Sequence, residues 1–179
     1  MDSALLEAMS EEFAAYLSEV TDGDLTARTP CLAWSVDDLY RHLLELNLHI
    51  GLLFDPQSPP PASRGESLPR ETTYRDVARY AAGALANAAN SASAADTFAR
   101  HVTNTLIHTW DLARALDIDF DTPKPDVLDL AREYLHRLAP HSRGDAAAFA
   151  PIPDLPAADA MDEVLLLSGR WPSWRARPA

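Results

Sequence analysis

SVDDLYRHLLELNLHIGLLF (residues 35–54) is the stretch that decides the fold. Val36, Leu39, Tyr40, Leu43, Leu46, Ile50, Leu53 and Phe54 recur at spacings of three and four, the period of a helix with one face turned to a core. Ser35 with Asp38 three positions on makes a capping-box-like start, Trp34 stands in the staple position before it, and Asp55-Pro56 ends the run. The same period extends to both sides. Leu5, Leu6, Met9, Phe13, Tyr16, Leu17 and Val20 predict a helix over 3–20, broken by Gly23 and Thr29-Pro30. Thr73 and Asp76 start a third helix through Tyr74, Val77, Ala81, Leu85 and Ala88. Phe98, Val102, Leu106, Leu112, Ala113 and Leu116 define a fourth over about 95–116. Pro125 opens a shorter fifth, stopped by Pro140, and a sixth near 158–168 is closed by Gly169. No segment alternates with period two for long enough to make a strand, and no fixed repeat occurs. The fold class is therefore all-α, a four-helix bundle with additional short C-terminal helices, in one domain over 1–179. A Pro- and Ser-rich loop over 56–70, a functional lid or a mobile connector, and an irregular connection over 140–157 interrupt the helices.

With 47% apolar residues the chain can bury a real core, and 179 residues suit a single domain. Twenty-seven acidic against fifteen basic residues give a net charge of -12, which argues against nucleic acid. The longest basic cluster, Arg170 to Arg177, is interrupted by tryptophan and proline. The lone Cys31 excludes an internal disulfide framework and a Cys-rich zinc site, and suits a reducing cytoplasm. No basic segment leads an apolar run at the N-terminus, and no apolar stretch approaches the length of a membrane span. The expected partner is a small-molecule substrate, with neither nucleic acid nor membrane, and exposed helix faces allow a homodimer.

Polar residues interrupt two of the apolar faces. On the second helix His42 and His49 stand seven apart at the edge of the stripe, with Asn47 near its centre. On the fourth, His101, Asn104, His108 and Asp111 are spaced three, four and three, one ribbon along the edge of the core face. In an antiparallel bundle two such ribbons can converge on one cavity, as in bundle metal sites built from facing helices. Asn104 and His108, one turn apart, can direct two donors at one ion, and His42 adds a third, leaving a position open for water or substrate. Against this, a single histidine at such a border is more often a hydrogen-bonded boundary residue than a ligand. His136 and His141 read as solvated or capping groups. Cys31, ahead of a helix N-terminus, has a nucleophile reading. The reading as a small buried residue of the turn is preferred, because no base is paired with it. Trp34 and Trp110 read as core anchors, and Asp111 either orients a histidine or bonds the backbone.

Three stretches carry a resemblance that spans nearly the whole chain: TPCLAWSVDDLYRHLLELN (29–47), LIHTWDLARAL (106–116) and LLLSGRWPSWRARPA (165–179). Together they resemble the DinB-like superfamily, in particular its short actinobacterial members related to mycothiol-dependent maleylpyruvate isomerase. The resemblance implies a four-helix bundle with a divalent metal (zinc, nickel or manganese) held by three side chains. His42 and His108 match two of them. The third, four positions before His108, is expected to be acidic or histidine, and here it is Asn104. An amide oxygen is a weak, neutral ligand for such ions. His101 or His49 could substitute for it, though neither matches the family position. The isomerase carries a further C-terminal domain without counterpart in these 179 residues, so the resemblance implies its type of chemistry and not its substrate. That chemistry is a metal-dependent S-transfer or thiol-assisted isomerisation using mycothiol, with His49, His101 and Asp111 in acid-base or supporting roles. One alternative is a metal-free cyclase or lyase of specialised metabolite biosynthesis, using the same cavity. A second is a non-catalytic small-molecule-binding or stress-response module.

Overall fold

The computed structural model describes residues 3–31, 34–61, 68–138 and 152–176, so part of the Pro-rich loop and most of the 140–157 connection lie outside the described residues. It contains α1 (Ser3–Ser18), a 3-10 turn (Asp24–Thr26), α2 (Val36–Phe54), α3 (Arg70–Asn87), α4 (Ala92–Ala115), α5 (Pro125–Arg137) and α6 (Ala160–Leu167). Among the described residues there is no strand, only one isolated bridge between Arg28 and Ser35. No described helix is long and apolar enough to cross a membrane.

α2 starts as its sequence demands. The Asp38 amide donates to Ser35 Oγ (3.2 Å), and the Ser35 amide donates back to the Asp38 carboxylate (2.9 Å). α3 begins at Arg70, three residues earlier than the Thr73 signal suggests. The proline ring presets Pro69 at φ -53°, and its carbonyl accepts the Thr72 and Thr73 amides, so the helix starts without a capping side chain. α4 likewise starts early, at Ala92, because Ser91 Oγ accepts the Ala94 amide.

α1 and α2 each pack against both α3 and α4, giving a four-helix ring in the order α1, α3, α2, α4; α5 lies on α4, and α6 on α5. One apolar cluster gathers around Leu6, Ile50, Leu85, Phe98 and Leu106 and extends to α5 and α6. The other, around Phe13, Leu17, Leu39, Leu43, Tyr74 and Leu112, fills the end of the bundle where the chain enters α2. α2 and α3 approach closely at Gly51, where any Cβ would land in the Tyr80 ring. That ring is held in turn by its hydroxyl, which donates to the Ser58 carbonyl (3.1 Å).

Candidate active site

The site forms where the turn before α2, the first half of α2, the second half of α4 and the segment after α6 meet. Thr29 shapes the turn. Its amide and hydroxyl donate to the Trp34 carbonyl (3.0 and 3.1 Å), and its Oγ1 accepts the Cys31 amide (3.2 Å). This holds Trp34 over two imidazoles, with ring centres 4.7 Å from His42 and 5.5 Å from His108, nearly parallel to the latter at 22°. His42 and His108 face each other edge to face, ring centres 5.2 Å apart. The convergence expected of the two ribbons is thus present at this end of the α2–α4 seam.

Beneath His108 lies a buried ionic chain. Asp111 is 0% and Arg170 5% exposed. Arg170 donates to both Asp111 oxygens, Nη2 at 2.9 Å and Nε at 3.4 Å, and its Nη1 donates to the Ser168 carbonyl at 3.0 Å. Burial pushes the Asp111 carboxyl up, but Arg170 and His108 outweigh it and hold the pKa below its ordinary value. Asp111 is therefore an anion and can only accept, so the 2.9 Å contact to His108 Nδ1 has the imidazole as donor. The proton sits on Nδ1, and Nε2 keeps its lone pair. Burial also lowers the His108 pKa, with Asp111 opposing. Burial, His108 and Arg170 together push His42 down to about 4. Both imidazoles are neutral at pH 7, the form that ligates metal or accepts a proton.

Two donors of the expected metal set fit. Zinc–nitrogen bonds of about 2.0–2.1 Å place two imidazoles on one tetrahedral ion with ring centres roughly 5 Å apart, and His42 and His108 have that spacing. The bond from His108 Nδ1 to a carboxylate is the support that metal-bound histidines usually have. Half-buried Asn104 stands one turn before His108 and offers a neutral amide oxygen. The spacing of the two imidazoles fits two ligands of one divalent ion, to which Asn104 would add at most a weak third donor. Cys31, His108 and Asp111 also bring donor atoms within 4.8 Å of one another. That second cluster does not suit a dication, because the Arg170 guanidinium already occupies the Asp111 carboxylate.

Of the residues expected in acid-base or supporting roles, Asp111 reaches the imidazole pair. His101 is fully buried two turns along α4, its Nε2 3.0 Å from Asn47 Oδ1, while the Asn47 amide donates to the Leu43 carbonyl (2.7 Å). Burial, with lesser contributions from Arg100 and His42, pushes His101 down to about 4. The 42–108 and 47–101 contacts show α2 and α4 running antiparallel. His49 is exposed. Cys31, read as a residue of the turn, proves to sit against the ionic chain. Burial raises its thiol to about 11 despite the pull of Arg170, so it is protonated at neutral pH.

Arg170 is the site residue that sequence reasoning missed. Gly169 at φ 80° ends α6, with the Gly169 amide on Leu166 O (2.9 Å) and the Arg170 amide on Leu165 O (2.8 Å). This left-handed turn, open to glycine, swings Arg170 into the core. The available signal was Asp111 itself, since a carboxylate on a buried face needs a cation.

Residues 6–113, more than half of the chain, match the family described as mycothiol maleylpyruvate isomerase N-terminal domain. The matched span holds Cys31, His42, Asn104, His108 and Asp111; Arg170 lies beyond it. Comparison with curated proteins and with solved structures returns no match.

Proposed function

The chain belongs to the mycothiol maleylpyruvate isomerase N-terminal domain family, a DinB-like bundle, and on that premise we propose a metal-dependent enzyme acting on a small electrophilic molecule. It uses a low-molecular-weight thiol such as mycothiol, in S-transfer or thiol-assisted isomerisation. The observation that carries this reading is the facing pair of neutral imidazoles, His42 and His108, one of them anchored by a buried carboxylate.

His42 and His108 would hold a divalent ion, with Asn104 as a weak third donor. When bound, such an ion supplies charge that stabilises a ligating thiolate, the reactive form of a thiol at neutral pH. The remaining work falls to the protein. Asp111 keeps the His108 proton on Nδ1, and Arg170 keeps Asp111 ionised and in place. Trp34 covers one side of the imidazole pair. The Cys31 thiol, protonated, does not compete with an external thiol as nucleophile.

Losing a residue that merely supports a ligand costs about 10–100-fold in affinity or activity. His42→Ala removes a ligand outright and is expected to lower mycothiol-dependent consumption of an electrophile by more than about 100-fold. Absence of thiol binding by calorimetry in the wild-type protein overturns the proposal.

The neutral donor at position 104 favours a second reading. Without a metal, His108 oriented by Asp111 is a general base with Nε2 free, the arrangement of a histidine–carboxylate dyad. Activity that survives exhaustive chelation selects this reading over the first.

A further inference from the structure

A cavity of about 310 Å3 opens between the C-terminal end of α4, the connection to α5, and the first turns of α5 and α6. Its volume falls in the range of small-molecule pockets, about 300–1,000 Å3. None of its wall belongs to the imidazole site. Trp110, Phe120 and Leu165 give it an apolar lining, and three charged residues border it: Arg114 on α4, with Asp159 and Asp162 at the start of α6.

Arg114 is the anomaly. Its guanidinium stacks over Trp110, 5.6 Å from the ring centre, and its Nε is buried without a hydrogen-bond partner. Among the described residues no carboxylate forms an ion pair with it, in a chain where acidic residues outnumber basic ones by 27 to 15. The buried Arg170, by contrast, is fully paired. Arg114 as a whole is only half-buried, so the rest of its guanidinium, at the cavity wall, is open to an anionic group brought by a ligand. The two aspartates each spend one oxygen on a helix start. Asp159 Oδ1 accepts the Asp162 amide (2.8 Å), and Asp162 Oδ2 accepts the Ala158 amide (3.2 Å). Their negative charge remains at the cavity's rim.

A plain carboxylate placed here gains Arg114 but meets two like charges, and a plain amine meets the reverse. A molecule that carries both charges next to an apolar body satisfies all three walls. We propose that this cavity binds a free α-amino acid with a large apolar side chain. Its carboxylate sits on Arg114, its ammonium on Asp159 and Asp162, and its side chain against Trp110, Phe120 and Leu165. This assignment does not rest on the thiol-dependent reading of the imidazole site.

Calorimetry and tryptophan fluorescence with L-phenylalanine and L-leucine as probes test it. Saturable one-site binding is expected, weakened at least about tenfold when the probe is N-acetylphenylalanine or phenylalanine amide. Arg114→Met keeps the apolar stem over Trp110 and is expected to lose the same factor. Asp159→Asn, which preserves the helix cap, independently weakens the free amino acid and leaves the amide-blocked comparison to Arg114 unchanged. His42→Ala leaves binding intact, separating this site from the first. No saturation with either amino acid up to about 10 mM, equal binding of the N-acetyl compound, or indifference to both substitutions would each overturn the assignment.

Discussion

Arg170→Met is expected to destabilise the fold by about 3–5 kcal/mol, the usual cost of removing one partner from a buried ion pair. Among the described residues the guanidinium is the only cation bonded to the Asp111 carboxylate, which is 0% exposed, and methionine leaves that charge unpaired in the core. The cost comes from the orphaned anion more than from the lost attraction. Replacing both partners, as in Asp111→Leu with Arg170→Met, is therefore expected to cost less than Arg170→Met alone. Urea denaturation of the three proteins measures this, and a loss below about 1 kcal/mol in the single variant would mean that the pair is not buried as described. The pH dependence has a definite sign. Asp111 has a folded-state pKa held below its ordinary value. Its contribution is then complete above the ordinary aspartate range and is lost as the pH falls through the folded-state value. The wild type is accordingly expected to lose this stabilisation only in acid and to keep it throughout the neutral range.

Asn104→Glu carries the second large effect. The donors proposed for the ion are two imidazoles and an amide, all neutral, with the Arg170 charge already acting on His42 and His108. A carboxylate at position 104, one turn from His108, adds a negative charge and a stronger oxygen donor to the same centre. Affinity for zinc or nickel is expected to rise at least about tenfold, equivalent to about 1.4 kcal/mol. Competition with a chromophoric chelator reads this directly, without requiring any turnover. An unchanged affinity would place the ion away from Asn104.

Local signals in the sequence were enough for most of the helices. The 35–54 stretch became Val36–Phe54, with both bonds of its capping box in place. The start of α3 was obscured because Pro69 organises it through ring geometry and a carbonyl, neither of which looks like a capping side chain. The imidazole pair was legible as two ribbons, but its pairing depends on which helices neighbour each other. Periodicity says nothing of that, and it is why His108 meets His42 while His101, on the same ribbon, meets Asn47. Arg170 was hidden for another reason. It lies 59 residues from Asp111, and a single left-handed glycine turns it inward from what reads as a basic tail. Cys31 came with the turn built by Thr29 and gained its environment only once Arg170 was in place.

His42 and His108 are proposed to act together as one ligand pair. Calorimetric titration of the metal-stripped protein with zinc, nickel and manganese, beside His42→Ala and His108→Ala, tests it most directly. The expected result is one site per chain in the wild type, lost in each variant while its helical circular dichroism is retained. Binding that persists undiminished in both variants, or no binding by the wild type, would contradict it.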